Sequence, residues 1–272
     1  MASKKNDKTS TPETGAEDVD NLFVGSVAKA FRVLEAFGQG KPMMGFSQIA
    51  REVGLEKSAA QRAAHTLWKL GYLDKVGPAG EYRLTKRCLD LGHAFRKSNR
   101  IVECAEPYLR FLRRKTDASI NLTMLDGPDS MFIIRYTNSA MLSNDLGGGL
   151  RMPAWCTATG VAMLSALDDE QIRVILSQSD LKPVMPGTIW ETDKIMERIH
   201  RSREEGYVLG VEEDFASDIT LACAVRDGLT GEIAAIGASY SSETTSVKAV
   251  MNGCRQLMMS TAQEIEAKLM TL

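Results

Sequence analysis

No run in the 272 residues approaches the roughly 18 consecutive apolar positions of a membrane-spanning helix. The N-terminus, MASKKNDKTSTPETGAEDVD, has basic residues but no apolar stretch behind them, so neither a secretory signal nor an anchor is expected. Histidine is scarce, with three residues, and the five cysteines at Cys88, Cys104, Cys156, Cys223 and Cys254 form no CxxC pair and no even framework. A disulfide scaffold is thereby excluded, no metal or cofactor is expected, and a reducing, cytoplasmic setting fits. There is no GxSxG, HExxH or phosphate-binding glycine loop, and Gly147–Gly148–Gly149 does not lie between a strand and a helix. The usual hydrolase, zinc-protease and nucleotide-binding signatures are all missing.

What is present is enough apolar residue, 44%, to build cores for about two domains. The net charge of −2 conceals a division. Residues 1–21 hold three Lys against five Asp or Glu, and residues 22–90 hold eleven Lys or Arg against six Asp or Glu. The remainder holds 19 against 24. A basic module thus precedes an acidic one, and basic surface gathered on one domain suits phosphate neutralisation as well as simple solvation.

Residues 1–21 lack any apolar period and are expected to be a disordered tail. From Val24, apolar residues at three- and four-residue spacing predict a helix with Ser26 as N-cap and Gly38 as stop. Two short helical patterns flank Gly54, and strands at 73–76 and 81–84 bracket the turn Gly77–Pro78–Ala79–Gly80. Helices are expected from Thr85 through Phe95 and from Ile101 to about Arg114. The second half reads as an α+β domain: strands at 120–125, 131–136, 208–212, 219–225 and 233–240, with helices at 157–167, 169–178, 193–205 and 246–270. The expected domains are residues 22–84, a linker helix at 85–98, and residues 99–272.

A helix-turn-helix needs a small residue where its helices meet, a glycine at the turn and a small apolar residue inside the second helix. Ala50, Gly54 and Ala60 fall at those spacings, and Ile49, Val53, Leu55, Ala64, Leu67 and Leu70 complete an inward face. Lys57, Ser58, Ala59, Gln61, Arg62 and His65 then point outward. Gln and Arg suit base edges, whereas Lys57, Ser58 and the helix N-terminus suit phosphate oxygens. An ordinary helical hairpin with a wet side is the rival. The following hairpin, with Lys75, Arg83, Lys86 and Arg87 around it, favours a winged helix-turn-helix whose wing lies along the sugar–phosphate backbone.

These features, in order and spacing, resemble the IclR-type transcriptional regulators. The segments that carry the resemblance are SVAKAFRVLEAF, SQIAREVGLEKSAAQRAAHTLWKLGYL, GEYRLT, RMPAWCTATGVAMLSAL, GYVLGVEEDFASDITLACAVRD and GEIAAIGAS, spread from Val24 to Met270. The resemblance implies a repressor or activator with an N-terminal DNA-binding domain, a linker helix and a C-terminal effector-binding domain of GAF-like fold. The implied partners are a palindromic double-stranded operator, a small carboxylate effector and further copies of the chain, as a homodimer or dimer of dimers.

The resemblance puts the anion at Ala158 and Thr159, where the N–H groups and dipole of a helix attract a carboxylate. Thr157 serves equally as that helix's cap. It also puts Gly210, Thr220, Gly237 and Ser239 on the sheet side. Gly210 and Gly237 depart from the family pattern, so a roomier pocket, poorer in hydrogen-bonding groups, is expected. Met141, Leu142, Met152 and Trp155 are candidates for an apolar wall, or else ordinary core.

The competing classes rest on cysteine. Cys156 beside a helix N-terminus is a candidate low-pKa thiolate, for catalysis or, with Cys223, for redox sensing. Nucleophilic catalysis also needs a base, yet His65 belongs to the reading helix, His93 to the linker, and His200 to a helix surface with no evident partner. No catalytic residue is assigned.

Overall fold

The computed structural model describes residues 22–39, 41–138 and 148–272, and the chain divides into two compact units at Gly92/His93. In the first unit, α1 (Gly25–Glu35) is followed by a 3-10 turn (Ala36–Gln39), α2 (Phe46–Glu52), α3 (Lys57–Lys69) and a hairpin of β1 (Leu73–Val76) and β2 (Glu81–Leu84). The cap of α1 is Val24 rather than Ser26, with no side-chain hydrogen bond, because the helix starts one residue before the serine. Val33, Phe37, Met44, Ile49, Ala50, Ala60, Ala64, Leu67, Leu73 and Tyr82 form one core.

Gly54 turns between α2 and α3 with φ +60°, where a side chain is strained, and Ala60 is fully buried at the helix contact. Leu70 departs from expectation: it is 52% exposed, because α3 ends at Lys69 and Leu70 starts the turn into β1. β1 and β2 pair antiparallel from Leu73↔Leu84 to Val76↔Glu81, with Gly77 and Gly80 at positive φ in the turn.

The linker helix α4 (Cys88–Ser98) runs through the division between units and buries none of its residues. Asn99 then caps α5 (Arg100–Lys115) by accepting from the Val102 amide. β3 (Ser119–Asp126) and β4 (Asp129–Tyr136) form a hairpin, and β5 (Arg151–Pro153) is a three-residue edge. Next come α6 (Ala158–Ser165), α7 (Asp169–Ser177), α8 (Thr192–Glu205), β6 (Val208–Val211), β7 (Asp218–Arg226), β8 (Ile233–Ser241) and α9 (Val247–Leu269).

The six strands make one antiparallel sheet in the order β5-β4-β3-β8-β7-β6. Period-two alternation gives it two different faces. Ile120, Leu122, Ile219, Leu221, Cys223, Ile236 and Ala238 join α5 and α9 in one core, whereas Ala222, Ile233 and Ala235 join α6, α7 and α8 in another. The unit is therefore an α+β sandwich with helices on both sides of the sheet. Asn121, Thr220 and Ser239 alternate toward the α6 side, as does Gly237, so this face carries a polar patch.

Candidate functional site

The exposed face of α3, where the candidate reading residues lie, is set by the helical period. Ala60, Ala64 and Leu67 are buried, which turns Lys57, Ser58, Gln61, Arg62 and His65 into solvent and leaves Ala59 half-buried. Glu56, the N-cap, makes no side-chain bond to the helix, so the first amides of α3 have no side-chain cap. The side chains of Lys57, Gln61 and Arg62 make no hydrogen bond or ion pair among the described residues. His65 stands edge-on to Trp68 at 5.3 Å, and Lys69 lies 4.4 Å above the same ring.

In the wing, Arg83 pairs with Asp74 across the hairpin at 3.0 Å, while exposed Lys75 lies along Gly80. Two further latches hold the wing base to the helices. Thr85 Oγ1 donates to the Gly71 carbonyl at 2.6 Å, and Arg87 donates to the Leu70 carbonyl at 2.7 Å while covering Tyr72. Exposed cations and an amide side chain, Lys57, Arg62, Lys75 and Gln61, are the groups that contact with phosphates and base edges requires.

In the second unit, Thr157 caps α6 by accepting from the Gly160 amide at 3.1 Å. Gly160 is required there, since a Cβ would collide with the backbone of Ala154. The start of α6 closes a cavity against the sheet, lined by Asn121, Phe132, Arg135, Ala158, Thr159, Asp214, Phe215, Asp218, Thr220 and Ser239. Its space is about 20 Å³, room for one water.

A relay of polar groups crosses its floor. Asn121 donates to Ser239 Oγ at 3.3 Å, the Ser239 and Thr220 hydroxyls lie 2.6 Å apart, and Thr220 donates to Asp218 at 2.6 Å. Thr159 meets the Ser130 hydroxyl at 3.3 Å. Asn121 Oδ1 and Arg135 Nε are buried without a hydrogen-bond partner among the described residues. Both are supply waiting for an acceptor or donor, which is costly unless something fills the site.

The acids around the cavity are displaced from their ordinary range. Burial pushes Asp218 up to about 7, against the Thr220 hydrogen bond that favours its charge, and pushes Asp214 up to about 6. Glu213, paired with Arg198 on the neighbouring wall, is raised by burial to about 7. Arg135 is itself lowered by burial.

Of the eight positions expected at the effector, four line this cavity: Ala158, Thr159, Thr220 and Ser239. Gly237 lies under Thr159, whose Cγ2 stands 2.8 Å from where a Cβ would be. Gly210 lies against Ala158 and the Arg198–Glu213 pair, with Glu213 Oε2 at 2.9 Å from its absent Cβ. The space freed by the two glycines is therefore filled by neighbouring side chains, and the site is rich in charge. This corrects the expectation of a roomy pocket poor in hydrogen-bonding groups. Met152, half-buried in β5 opposite Ser130, does not line the cavity, and Trp155 is 1% exposed within the core around α6. Met141 and Leu142 fall outside the described residues.

Asn121, Arg135, Asp214 and Asp218 were not found from sequence, although the polar interruptions in otherwise apolar strands β3 and β7 are a signal for Asn121 and Asp218. The cysteine reading is corrected too. Burial pushes Cys156 up to about 12 and Cys223 likewise, so the α6 terminus does not yield a thiolate. His200 has a partner after all, Asp169 at 3.0 Å, in a surface cluster with Arg203. No three His, Cys, Asp or Glu side chains converge as a metal site among the described residues, and no helix among them is long and apolar enough to cross a membrane.

Comparison with known proteins agrees with both halves. Residues 26–77 match the IclR helix-turn-helix domain, and residues 93–267 match the C-terminal domain of the bacterial transcriptional regulator IclR. The Pca regulon regulatory protein of Pseudomonas putida is 31% identical over 222 residues, covering 81% of this chain and 75% of that one. The p-hydroxybenzoate hydroxylase transcriptional activator of Acinetobacter baylyi is 27% identical over 259 residues, covering 93% and 95%. Among solved structures, an IclR homolog from Microbacterium hydrocarbonoxydans complexed with 4-hydroxybenzoate has the same fold, with a TM-score of 0.76 at 23% identity over 91% of this chain and all of that one. The chain belongs to the IclR family of DNA-binding transcriptional regulators.

Proposed function

We propose that this regulator binds a palindromic operator as a homodimer or dimer of dimers, and that a small carboxylate held at the start of α6 sets its affinity for DNA. Gln61 and Arg62 read bases, Lys57, Ser58 and His65 approach the backbone and groove edge with Ala59 against the DNA surface, and Lys75 and Arg83 lie along phosphates. A second copy is supported by apolar side chains left in solvent on α1 and α4: Val27 and Phe31 on one, Leu89, Leu91 and Phe95 on the other. One recognition helix covers few base pairs, so two-fold symmetry supplies the rest of the specificity.

The observation that carries the effector reading is the meeting of the α6 amides, the Thr159, Thr220 and Ser239 hydroxyls and an unpartnered guanidinium N–H of Arg135 around one small cavity. Two relatives support an organic acid: one activates p-hydroxybenzoate hydroxylase expression by its name, and another was crystallised with 4-hydroxybenzoate. Coupling follows if the acid prefers one arrangement of the assembled protein, since a ligand with equal affinity for both shifts nothing. The test is a thermal-shift screen of organic acids, beginning with 4-hydroxybenzoate, on the full chain. A true hit raises the melting temperature of wild type and of Arg62→Ala but not of Thr159→Val. A hit that survives substitution of Thr159, Thr220 and Ser239 together contradicts the assignment.

A further inference from the structure

The cavity that receives the carboxylate in the reading above is too small for any organic acid, so something must leave when one binds. Strands β3, β7 and β8 are fixed by their ladders, and α6 is fixed by Gly160 against Ala154. β4, which brings Phe132 and Arg135, is held by its own ladder to β3, and the wall outside the sheet and α6 is the segment between β6 and β7, residues 212–217. Glu212 and Ser217, at its two ends, both adopt left-handed backbone, φ 52° and 56°, which non-glycine residues rarely hold without cost.

This segment puts one carboxylate onto a guanidinium and a second beside the cavity that another guanidinium lines. Glu213 pairs with Arg198, whose Nη1 is nevertheless buried without a partner among the described residues. Asp214 lines the same cavity as Arg135 and Asp218, with no ion pair to Arg135 among the described residues, and Arg135 Nε is likewise buried and unpartnered. Phe215, half-buried, adds an aromatic side to the same cavity. The ion pair itself stands beside Ala158 and Gly210, where a Cβ on residue 210 would come within 3.2 Å of Ala158 and 2.9 Å of Glu213. On its outer side lies a groove of about 600 Å³ that Arg198 and Glu213 also line. The chain's own acids thus occupy the ground between groove and cavity, and each arginine keeps one N–H in reserve that they do not satisfy.

We propose that the effector is a small dicarboxylic acid, one carboxylate replacing Glu213 on Arg198 beside Gly210 and the other resting on Arg135, with residues 212–217 moving aside to admit it. The exchange conserves charge at Arg198: one carboxylate goes out to water as another comes in. A planar fork takes a carboxylate through two parallel N–H groups, which the single Glu213 contact does not use in full. Glu213 is then a placeholder that keeps the buried Arg198 compensated until the ligand arrives, and Asp214 moves off with it.

The inference rests on the carboxylate reading of the cavity, and calorimetry on the full chain separates the two. The probes are succinate, glutarate, adipate and terephthalate, set against hexanoate and 4-hydroxybenzoate. The best diacid is expected to bind at least roughly tenfold tighter than either monoacid, the worth of one charge-assisted hydrogen-bonding contact. Arg198→Gln should remove that advantage while leaving the monoacids nearly unchanged. Because an arginine variant can fail to fold, Glu213→Gln supplies the second arm: with the placeholder weakened, the diacid should bind more tightly than to wild type. A monoacid that binds as well as the best diacid overturns the inference and leaves the carboxylate reading intact. Loss of diacid binding in Glu213→Gln overturns it as well, since a purely structural ion pair behaves that way. If no acid binds, both fall together.

Discussion

The two units carry their candidate sites on opposite kinds of surface. In the first, the candidate groups on α3 stand in solvent, and Lys57, Gln61 and Arg62 are uncompensated by other described side chains. In the second, Thr159, Thr220, Ser239 and Arg135 sit in a cavity of about 20 Å³ shared with Asp214 and Asp218, and Glu213 pairs with Arg198 beside it. An exposed cation loses little by waiting for a phosphate, because water solvates it meanwhile. A buried one must be compensated at all times, and burial makes every neighbouring acid costly to ionise. The candidate groups of the first unit can therefore stand open to solvent, whereas those of the second have to be closed over by the chain itself.

The largest test of this contrast is steric. Gly160→Ala forces a Cβ into the Ala154 backbone at the start of α6, at an expected cost of about 3 kcal/mol or more. Calorimetry should find the melting transition of the second unit lowered and that of the first unit unmoved. A single transition that shifts as a whole would mean that the two units are not energetically separate.

The next effect is of pH. Glu213, Asp214 and Asp218 are raised to about 7, 6 and 7, so the folded state keeps protons that the unfolded chain has already released above its ordinary carboxylate range. The second unit should accordingly lose stability as pH rises from about 4 to about 7 and level off above that. Melting curves across this range read it directly. A rise in its stability over the same interval would mean that the neighbouring cations, and not burial, dominate these acids.

Smaller changes belong to the exposed surface. Arg62→Ala should cost about 1–3 kcal/mol of operator affinity and relax preference at one position of each half-site, measured by anisotropy on a set of single-substituted operators. Equal weakening on all sequences would move Arg62 from base reading to phosphate. Smallest is Lys57→Ala, which should weaken every sequence alike and reduce the salt slope by about one. A change in sequence preference instead would place Lys57 on a base.

The same contrast decides what was legible in the sequence. On α3, period 3.6 sorts buried from exposed within thirteen consecutive residues, so Lys57, Gln61 and Arg62 are found without knowing anything distant. Leu70 was misjudged because the period was carried one residue beyond the helix end. Thr157, Thr159 and Thr220 were within reach through a capping pattern and the family resemblance. Asn121, Arg135 and Asp214 were not, since they come from β3, β4 and the β6–β7 connection, and only the sheet order β4-β3-β8-β7-β6 gathers them. Gly210 and Gly237 illustrate the limit most plainly. Their missing side chains imply space, yet what fills it, Glu213 and Thr159, is decided by tertiary contact. β5 escaped notice because three residues are too few to display alternation, and the Asp169 partner of His200 lies on a different helix.

The central claim is that an acid held in the buried unit changes what the exposed unit does on DNA. Its most direct test is operator affinity of the full chain by fluorescence anisotropy, with and without a saturating acid identified by thermal shift, for wild type and Thr159→Val. The account predicts a change of at least about fivefold in wild type, the lower end of ordinary allosteric coupling, and none in Thr159→Val. An acid that stabilises the protein through Thr159 yet leaves operator affinity unchanged would contradict it.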